Sequence, residues 1–517
     1  MTDWLKNAIF YEIYPQSFAD SNGDGIGDFQ GIIDHLDYIK ELGCNAIWLN
    51  PCFQSPFGDA GYDVSDYCKA APRYGTNEDL QRLFTAIHER GMHVLLDLVV
   101  GHTSWEHPWF RESLKPEENE FSHRYIWTDS SKKDCVGFGN IQGSLRGLSQ
   151  RDGSVAVNYY SHQPALNYGF YEISAPSWQQ PMHAPGPMAT REALKDVMRF
   201  WLDRGCDGFR VDMAGFLVKA DPQQEGTIAL WQDFRAFLDK EYPTAAMVAE
   251  WGRPDRSLRG GFHMDFMMIL PISHYADLFG TENAYFSREG KGNAWDFVQY
   301  YTSCLDSTDG KGMICFPTGS HDIPRLANWV DEEEAKLCYA FVLSLPGAPF
   351  LYYGDEIGMK YLPGIPSVEG GYNRTGSRSP MQWDESLNAG FSTADSEKLY
   401  MPLDPDENRP TVEKQLAKPG SLVNEVKKLI KVRLENPVLQ SEAAIQFVYC
   451  QPNAYPLAYR RSDNSGSVLV VLNPSGQEAS FPYEGALGDA LYQYGDVRLE
   501  NGNLIMGPGS TAFIWEK

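Results

Sequence analysis

Arg210 and Asp212 stand two residues apart at the end of the short apolar run Gly208-Phe209-Arg210-Val211-Asp212. Strand alternation points residues i and i+2 to the same face, which puts a guanidinium beside a carboxylate. A neighbouring cation keeps a carboxylate ionised, as a nucleophile requires, although a strand-end ion pair can also be purely structural. Two more apolar runs end in the same way. Ala246-Met247-Val248-Ala249 leads into Glu250, and Ile314-Cys315-Phe316 leads through Pro317-Thr318-Gly319-Ser320-His321 into Asp322. Three carboxylates at the C-terminal ends of three strands have the makings of one acid, base and nucleophile site.

Composition narrows the setting. The chain has 517 residues, 43% of them hydrophobic and 22% charged, as in a globular protein with a large core. A net charge of −25 argues against a nucleic-acid partner or an anionic membrane and is compatible with a neutral substrate. No apolar run reaches transmembrane length, and Leu5–Phe10 reads as the approach to a strand, not as a signal peptide. Nine cysteines, an odd number without CxxC spacing, point to reduced core thiols at Cys44, Cys206, Cys315 and Cys338. The expected compartment is the cytoplasm.

The elements that must position these carboxylates follow from periodicity. Eight apolar runs of strand length begin near Ile9, Ala46, Val94, Gly208, Met247, Met264, Ile314 and Phe350. Helical patterns such as 77–91, 191–205 and 226–242 separate most of them. Alternating strand and helix predicts parallel strands joined by right-handed crossovers, and eight such units predict an α/β (β/α)8 barrel with its site on the loops after the strands. Gly43, Gly91 and Gly205 fall where helix C-caps are needed. The connection after the third strand is too long for a simple loop and predicts an inserted subdomain at 103–170, splitting the barrel into 1–102 and 171–434. Beyond the amphipathic helix 421–435, runs at 447–449, 457–460, 467–472 and 512–515 predict a separate antiparallel β domain over 435–517.

These residues resemble glycoside hydrolase family 13, the α-amylase family, over the whole chain. Asp97-Leu98-Val99-Val100-Gly101-His102 looks like the family's first motif, 208–212 like the second, Glu250 like the third and His321-Asp322 like the fourth; Gln163-Pro164-Ala165-Leu166-Asn167 looks like the fifth motif of the oligo-1,6-glucosidase branch. The resemblance implies that Asp212 is the nucleophile, Glu250 the general acid/base and Asp322 the transition-state stabiliser. It further implies that Tyr62, Asp63, His102, Arg210 and His321 line the subsite of the transferred sugar, and that the partner is a small oligosaccharide. Such chemistry uses one ionised carboxylate and one protonated one. Arg374, in the segment 371–384 that resembles the motif after strand eight of exo-acting α-glucosidases, would pair with Asp63 and close one end of the cleft.

The loop Asp20-Ser21-Asn22-Gly23-Asp24-Gly25-Ile26-Gly27-Asp28 carries oxygen ligands at alternating positions. It starts like an EF-hand loop, yet its twelfth position is Gly31 in place of glutamate, and it follows a strand. A polar turn would account for it; the resemblance implies a structural calcium, or sometimes magnesium, held by Asp20, Asn22, Asp24, the Ile26 carbonyl and Asp28. The sequence also departs from the family pattern. Gly101 replaces the usual asparagine, Ala165 the usual aspartate of the fifth motif, and Met213 follows the nucleophile where valine tends to accompany α-1,6 and alanine or threonine α-1,4 cleavage, which leaves linkage open. The expectation is a retaining α-glucosidase acting on short α-glucosides. A transglucosidase or sugar isomerase would use the same carboxylates, and a non-catalytic amylase-like subunit is the alternative of another class.

Overall fold

The computed structural model describes residues 2–517. Eight strands close a parallel barrel: β1 (Phe10–Ile13), β2 (Ala46–Leu49), β3 (His93–Val99), β4 (Gly208–Asp212), β5 (Ala246–Ala249), β6 (Met264–Phe266), β7 (Met313–Pro317) and β8 (Pro349–Tyr352). Neighbours in the barrel follow chain order, and β1 pairs with β8 through Phe10 opposite Phe350 to close it. The two rings stack at 4.2 Å across that seam. All eight sequence-predicted strands are present. They read as continuous apolar runs because both faces are covered. Inward-facing Phe10, Trp48, Leu95, Val248, Phe266 and Phe350 fill the barrel, while Tyr11, Ile47, Leu96 and Phe209 pack outward on the helices.

Local chemistry sets the element ends. Helix Leu36–Leu42 stops at Gly43 with φ 104°, and Gly205 at φ 105° follows helix Pro185–Leu202. Thr76 and Asp79 form a reciprocal capping box at the start of helix Asn77–Glu89. Gly208 opens β4 at φ 142°, and a Cβ there would lie 2.0 Å from the Ala246 carbonyl oxygen, so the strand carrying Arg210 and Asp212 can begin only with glycine.

Between β3 and helix Pro185–Leu202 lies the insertion. A two-stranded sheet, Gly143–Arg146 with Ser154–Val157, covers a small core that includes Ile126, Cys135, Ala156, Ala165 and Phe170. It is stitched to the barrel mouth where Leu166 N–H donates to the Gly101 carbonyl at 3.1 Å and His102 bridges Ala165. Ala165, the departure from the fifth motif, is therefore an apolar contact of the insertion.

The C-terminal domain is antiparallel, as expected, but richer than the four strands read from sequence. A five-stranded sheet contains Ala444–Tyr449, Leu457–Asp463, Gly466–Asn473, Ser510–Glu516 and Leu487–Tyr494. A second sheet contains Ala479–Pro482, Asn503–Met506 and Val497–Glu500. Two buried arginines meet where this domain joins the barrel, and Arg461 is the one that crosses from the domain to it. Arg433 donates to the carbonyls of Leu343, Leu345 and Gly347, and Arg461 to those of Ser344, Leu439, Gln440 and Ala443. Together they satisfy the open carbonyls at the end of helix Glu332–Ser344. Among the described residues no helix is long and apolar enough to cross a membrane.

Candidate active site

The three strand-end carboxylates line one cavity above the barrel. Arg210 joins two of them to Asp97 of β3: Nη1 donates to Asp97 Oδ1 at 2.8 Å and to Asp212 Oδ1 at 3.1 Å, and Nη2 reaches Glu250 Oε2 at 2.8 Å. The alternation argument thus holds, with a difference. One guanidinium is divided among three carboxylates, so it cannot keep all of them charged. Burial and the charge of Glu250 push Asp212 well above the usual carboxylate range, and burial pushes Asp97 up to about 6 against the pull of Arg210.

Asp322 is set differently. Burial alone would raise it, but His321, Arg378, Arg374 and Arg210 outweigh burial and hold its carboxyl well below the usual range. Arg378 Nη2 lies 2.9 Å and Arg374 Nη1 3.1 Å from the same Oδ1. Asp322 is therefore held as the anion at neutral pH. Two environments in one cavity thus push neighbouring carboxyls in opposite directions, Asp212 up and Asp322 down.

Histidines and tyrosine complete the wall. His321 Nδ1 is 2.8 Å from Glu12 Oε1 and its Nε2 2.6 Å from the Tyr62 hydroxyl, and Tyr62 stacks on the His321 ring at 5.5 Å. His102 Nε2–H donates to the Tyr62 carbonyl at 2.9 Å while Nδ1 accepts from Asn158 Nδ2 at 3.1 Å. Burial lowers His102 to about 4, so it is neutral, in agreement with these hydrogen bonds. The cavity so enclosed has a volume of about 200 Å3 and is lined by Asp59, Tyr62, His102, Asp212, Glu250, Asp322 and Arg374, with Tyr159, Tyr160 and Met213 toward its mouth.

One expected residue is elsewhere. Asp63 does not face Arg374; it is fully buried and accepts from Ser55 Oγ at 2.8 Å, Gly58 N–H at 2.8 Å and Asp59 N–H at 3.0 Å. Arg374 Nη2 pairs instead with Asp59 Oδ1 at 3.4 Å. Ala60 and Gly61 both have positive φ, 54° and 97°, so the chain turns between the two aspartates and strand-like spacing fails. Asp63 supports the turn and Asp59 reaches the cavity.

With this geometry the comparisons with known proteins become decisive. The model of the alpha amylase catalytic domain matches residues 12–442. The chain belongs to the α-amylase family. It is 30% identical to the oligo-1,6-glucosidase of Parageobacillus thermoglucosidasius, over 91% of this chain and 90% of that one. It is 32% identical to the trehalose synthase/amylase of Mycobacterium tuberculosis, over 91% of this chain and 82% of that one. The trehalulose synthase of Pseudomonas mesoacidophila superposes with a TM-score of 0.80 at 27% identity, over 99% of both chains. This α-amylase family chain is a glycoside hydrolase by kinship, related both to hydrolases and to enzymes named for synthesis.

Several residues escaped the sequence reading. Arg378 could have been found, four positions after Arg374 in the short 3-10 helix Tyr372–Arg378, which brings both to Asp322. Asn158 could not. Its amide donates to both the Gly101 carbonyl, at 3.0 Å, and His102 Nδ1, and a Cβ on Gly101 would stand 3.0 Å from Asn158 Nδ2. An amide from the insertion thus reaches the barrel mouth at Gly101 and His102. Asp265, fully buried on β6, accepts from the main-chain N–H groups of Trp251, Gly252 and Arg253, the three residues after Glu250, and from Ser257 Oγ.

The loop 20–28 lies apart from this cavity. Its donor set, three carboxylates, an amide and a main-chain carbonyl, is of the kind that suits a hard cation. The arrangement is another matter. Asp20 already accepts from the N–H groups of Asn22, Gly23 and Gly25 and from Ser392 Oγ, and Asp28 from Ser21, Asn22 and the Gly31 N–H. A carboxylate has about four acceptor sites, so both are filled. Among the described residues no three His, Cys, Asp or Glu side chains are gathered as metal ligands.

Proposed function

We propose that the protein is a retaining α-glucosidase that removes one glucosyl unit from the non-reducing end of short α-glucosides. The observation that carries this reading is the position of Arg374. It spans Asp59 and Asp322 in the lining of the cavity, with 3.4 Å and 3.1 Å contacts. In this reading the clamp closes one end: a sugar entering there meets charged hydrogen-bond partners suited to terminal hydroxyls, and a polymer could not thread past it.

In the proposed double displacement an Asp212 oxygen attacks the anomeric carbon. The glycosidic C–O bond breaks, and the departing oxygen takes the proton held by Glu250. Water then gives a proton to Glu250 as its oxygen attacks the same carbon, and the Asp212 ester bond breaks. Asp322, kept anionic by its two arginines, stabilises the oxocarbenium-like charge between these steps. Replacing water by a sugar acceptor turns hydrolysis into transfer with the same carboxylates, a second reading favoured by the trehalose and trehalulose synthases among the relatives. A calcium or magnesium ion at 20–28 remains part of the proposal as a stabiliser of that loop, with no part in the chemistry.

Azide tests the assignment of roles. In Asp212→Ala, azide can enter the vacated space and attack an activated α-glucoside directly, giving β-glucosyl azide. In Glu250→Ala the glucosyl-enzyme still forms from an activated substrate, and azide attack on it gives α-glucosyl azide. The opposite products, or wild-type turnover by Asp212→Asn or Glu250→Gln, would reject the roles. Losses of several orders of magnitude are expected from each amide and from Asp322→Asn, since such residues act as a unit.

A further inference from the structure

Phe266-Met267-Met268-Ile269-Leu270-Pro271-Ile272 is a run of seven apolar residues that begins as β6 and ends at the surface. Leu270 is 39% and Ile272 60% exposed, so burial in a core does not account for the run. Nor is the segment loose. Ser273 Oγ donates to the carbonyls of Met268 and Leu270 at 2.7 and 2.8 Å, and the Leu270 N–H donates to the Met268 carbonyl at 2.8 Å. A fixed loop presents apolar side chains to solvent beside the active site.

Those side chains wall a second chamber of about 220 Å3. Phe266, Met268, Ile269, Leu270, Pro317 and Ile323 form most of its wall, and Arg210, Glu250, Ser320, His321 and Asp322 gather at one polar edge. The sugar cavity also contains Glu250 and Asp322, but Asp212 belongs to it alone. In a displacement at the anomeric carbon the leaving group departs from the face opposite the nucleophile and is protonated by the acid. A chamber that touches the acid and not the nucleophile is where a leaving group goes. A sugar there would need hydroxyl partners along its ring, and the 266–270 side offers methyl, thioether and aromatic surface in their place.

We infer that this chamber takes an apolar aglycone, so that the preferred substrates are alkyl or aryl α-glucosides and not disaccharides. This rests on the proposed α-glucosidase reading and narrows its substrate class. The loop Phe266–Ile272 then sets specificity by burying carbon, with the charged cavity holding the glucosyl unit common to all substrates.

The test is a series of methyl, butyl, hexyl and octyl α-glucosides, whose leaving groups lengthen with little change in basicity. The wild-type kcat/KM should rise about threefold to fourfold per added methylene until the chamber is filled, the factor expected for burying CH2 groups. Octyl glucoside should exceed maltose and isomaltose by more than tenfold. Leu270→Ser, at an exposed position, should flatten the series, so that the octyl-to-methyl ratio of kcat/KM falls toward one, and Ile323→Thr should lower the same ratio. Binding of the same series to Asp212→Asn by calorimetry should tighten with chain length even where turnover is absent. A flat wild-type series, or a preference for the disaccharides, would overturn the inference. If Asp212→Asn still abolishes maltose cleavage in that case, the glucosidase reading stands and only the chamber's occupant is wrong. If Asp212→Asn cleaves every substrate as the wild type does, the reading beneath has failed.

Discussion

Asp265 Oδ1 accepts the main-chain N–H of Trp251, the residue that follows Glu250, at 3.2 Å. Gly252 and Arg253 donate to the same carboxylate at 3.2 and 3.0 Å. Burial pushes Asp265 up to about 7 although four donors hold its anionic form. Its place is that of a positioning residue, fixing the backbone from which Glu250 projects. Asp265→Asn should lower kcat on maltose or alkyl glucosides about 10- to 100-fold, the scale of an ångström-sized misplacement. A 2,4-dinitrophenyl glucoside, whose leaving group needs no proton, should be affected much less. Equal losses on both kinds of substrate would make Asp265 a merely structural residue.

The clamp at the closed end predicts where chains are cut. Arg374→Ala should raise KM and lower kcat together, because binding energy at that end also orients the reacting bond. Asp59→Asn should follow it, whereas Asp63→Asn should act mainly through the stability of the 55–63 turn. Cyclic dextrins have no end to place against Arg374 and should be poor substrates. Their efficient cleavage would mean that the cavity is open in solution.

Acid should destabilise the fold in part through His102. The unfolded side chain takes up its proton near 6.5, and the buried one only near 4. Its contribution is therefore complete above pH 6.5 and is lost as pH falls through 6.5 toward 4. The loss is on the order of 3 kcal/mol. Melting curves of wild type and His102→Gln should converge over that window. Parallel curves would show that His102 is not buried in its neutral form.

Chelation tests the loop 20–28. If a cation is held there in the folded state only, chelator should lower the melting temperature of a loaded sample by linkage. Turnover should not change while the protein stays folded. An unaltered melting curve would leave Asp20 and Asp28 as the self-sufficient hydrogen-bond acceptors of a tight turn.

The barrel was legible because its strands are covered on both faces and so appear as unbroken apolar runs. Arg210 and Asp212 were legible because alternation in a strand is regular, and Arg374 because it resembles a known motif. The reading failed where regularity fails. Ala60 and Gly61 at positive φ reverse the chain between Asp59 and Asp63. The strands at 479–482, 487–494 and 497–500 are short or polar and partly exposed, which leaves a weak hydrophobic signal. Asp265 and Asn158 act on main-chain groups or on a distant histidine, contacts that leave no spacing in sequence.

The two arginines beneath the barrel bear on how this chain could be cut and reused. Arg461 belongs to the β domain, yet one of its five acceptors is the Ser344 carbonyl of the barrel, the other four lying at 439–444. A fragment ending at 435 would lose that guanidinium and uncover the Ser344 carbonyl at the end of helix Glu332–Ser344, just before β8. The β domain is thus no detachable appendage. Catalytic halves of this protein should not be exchangeable with those of relatives unless the partner domain travels with them.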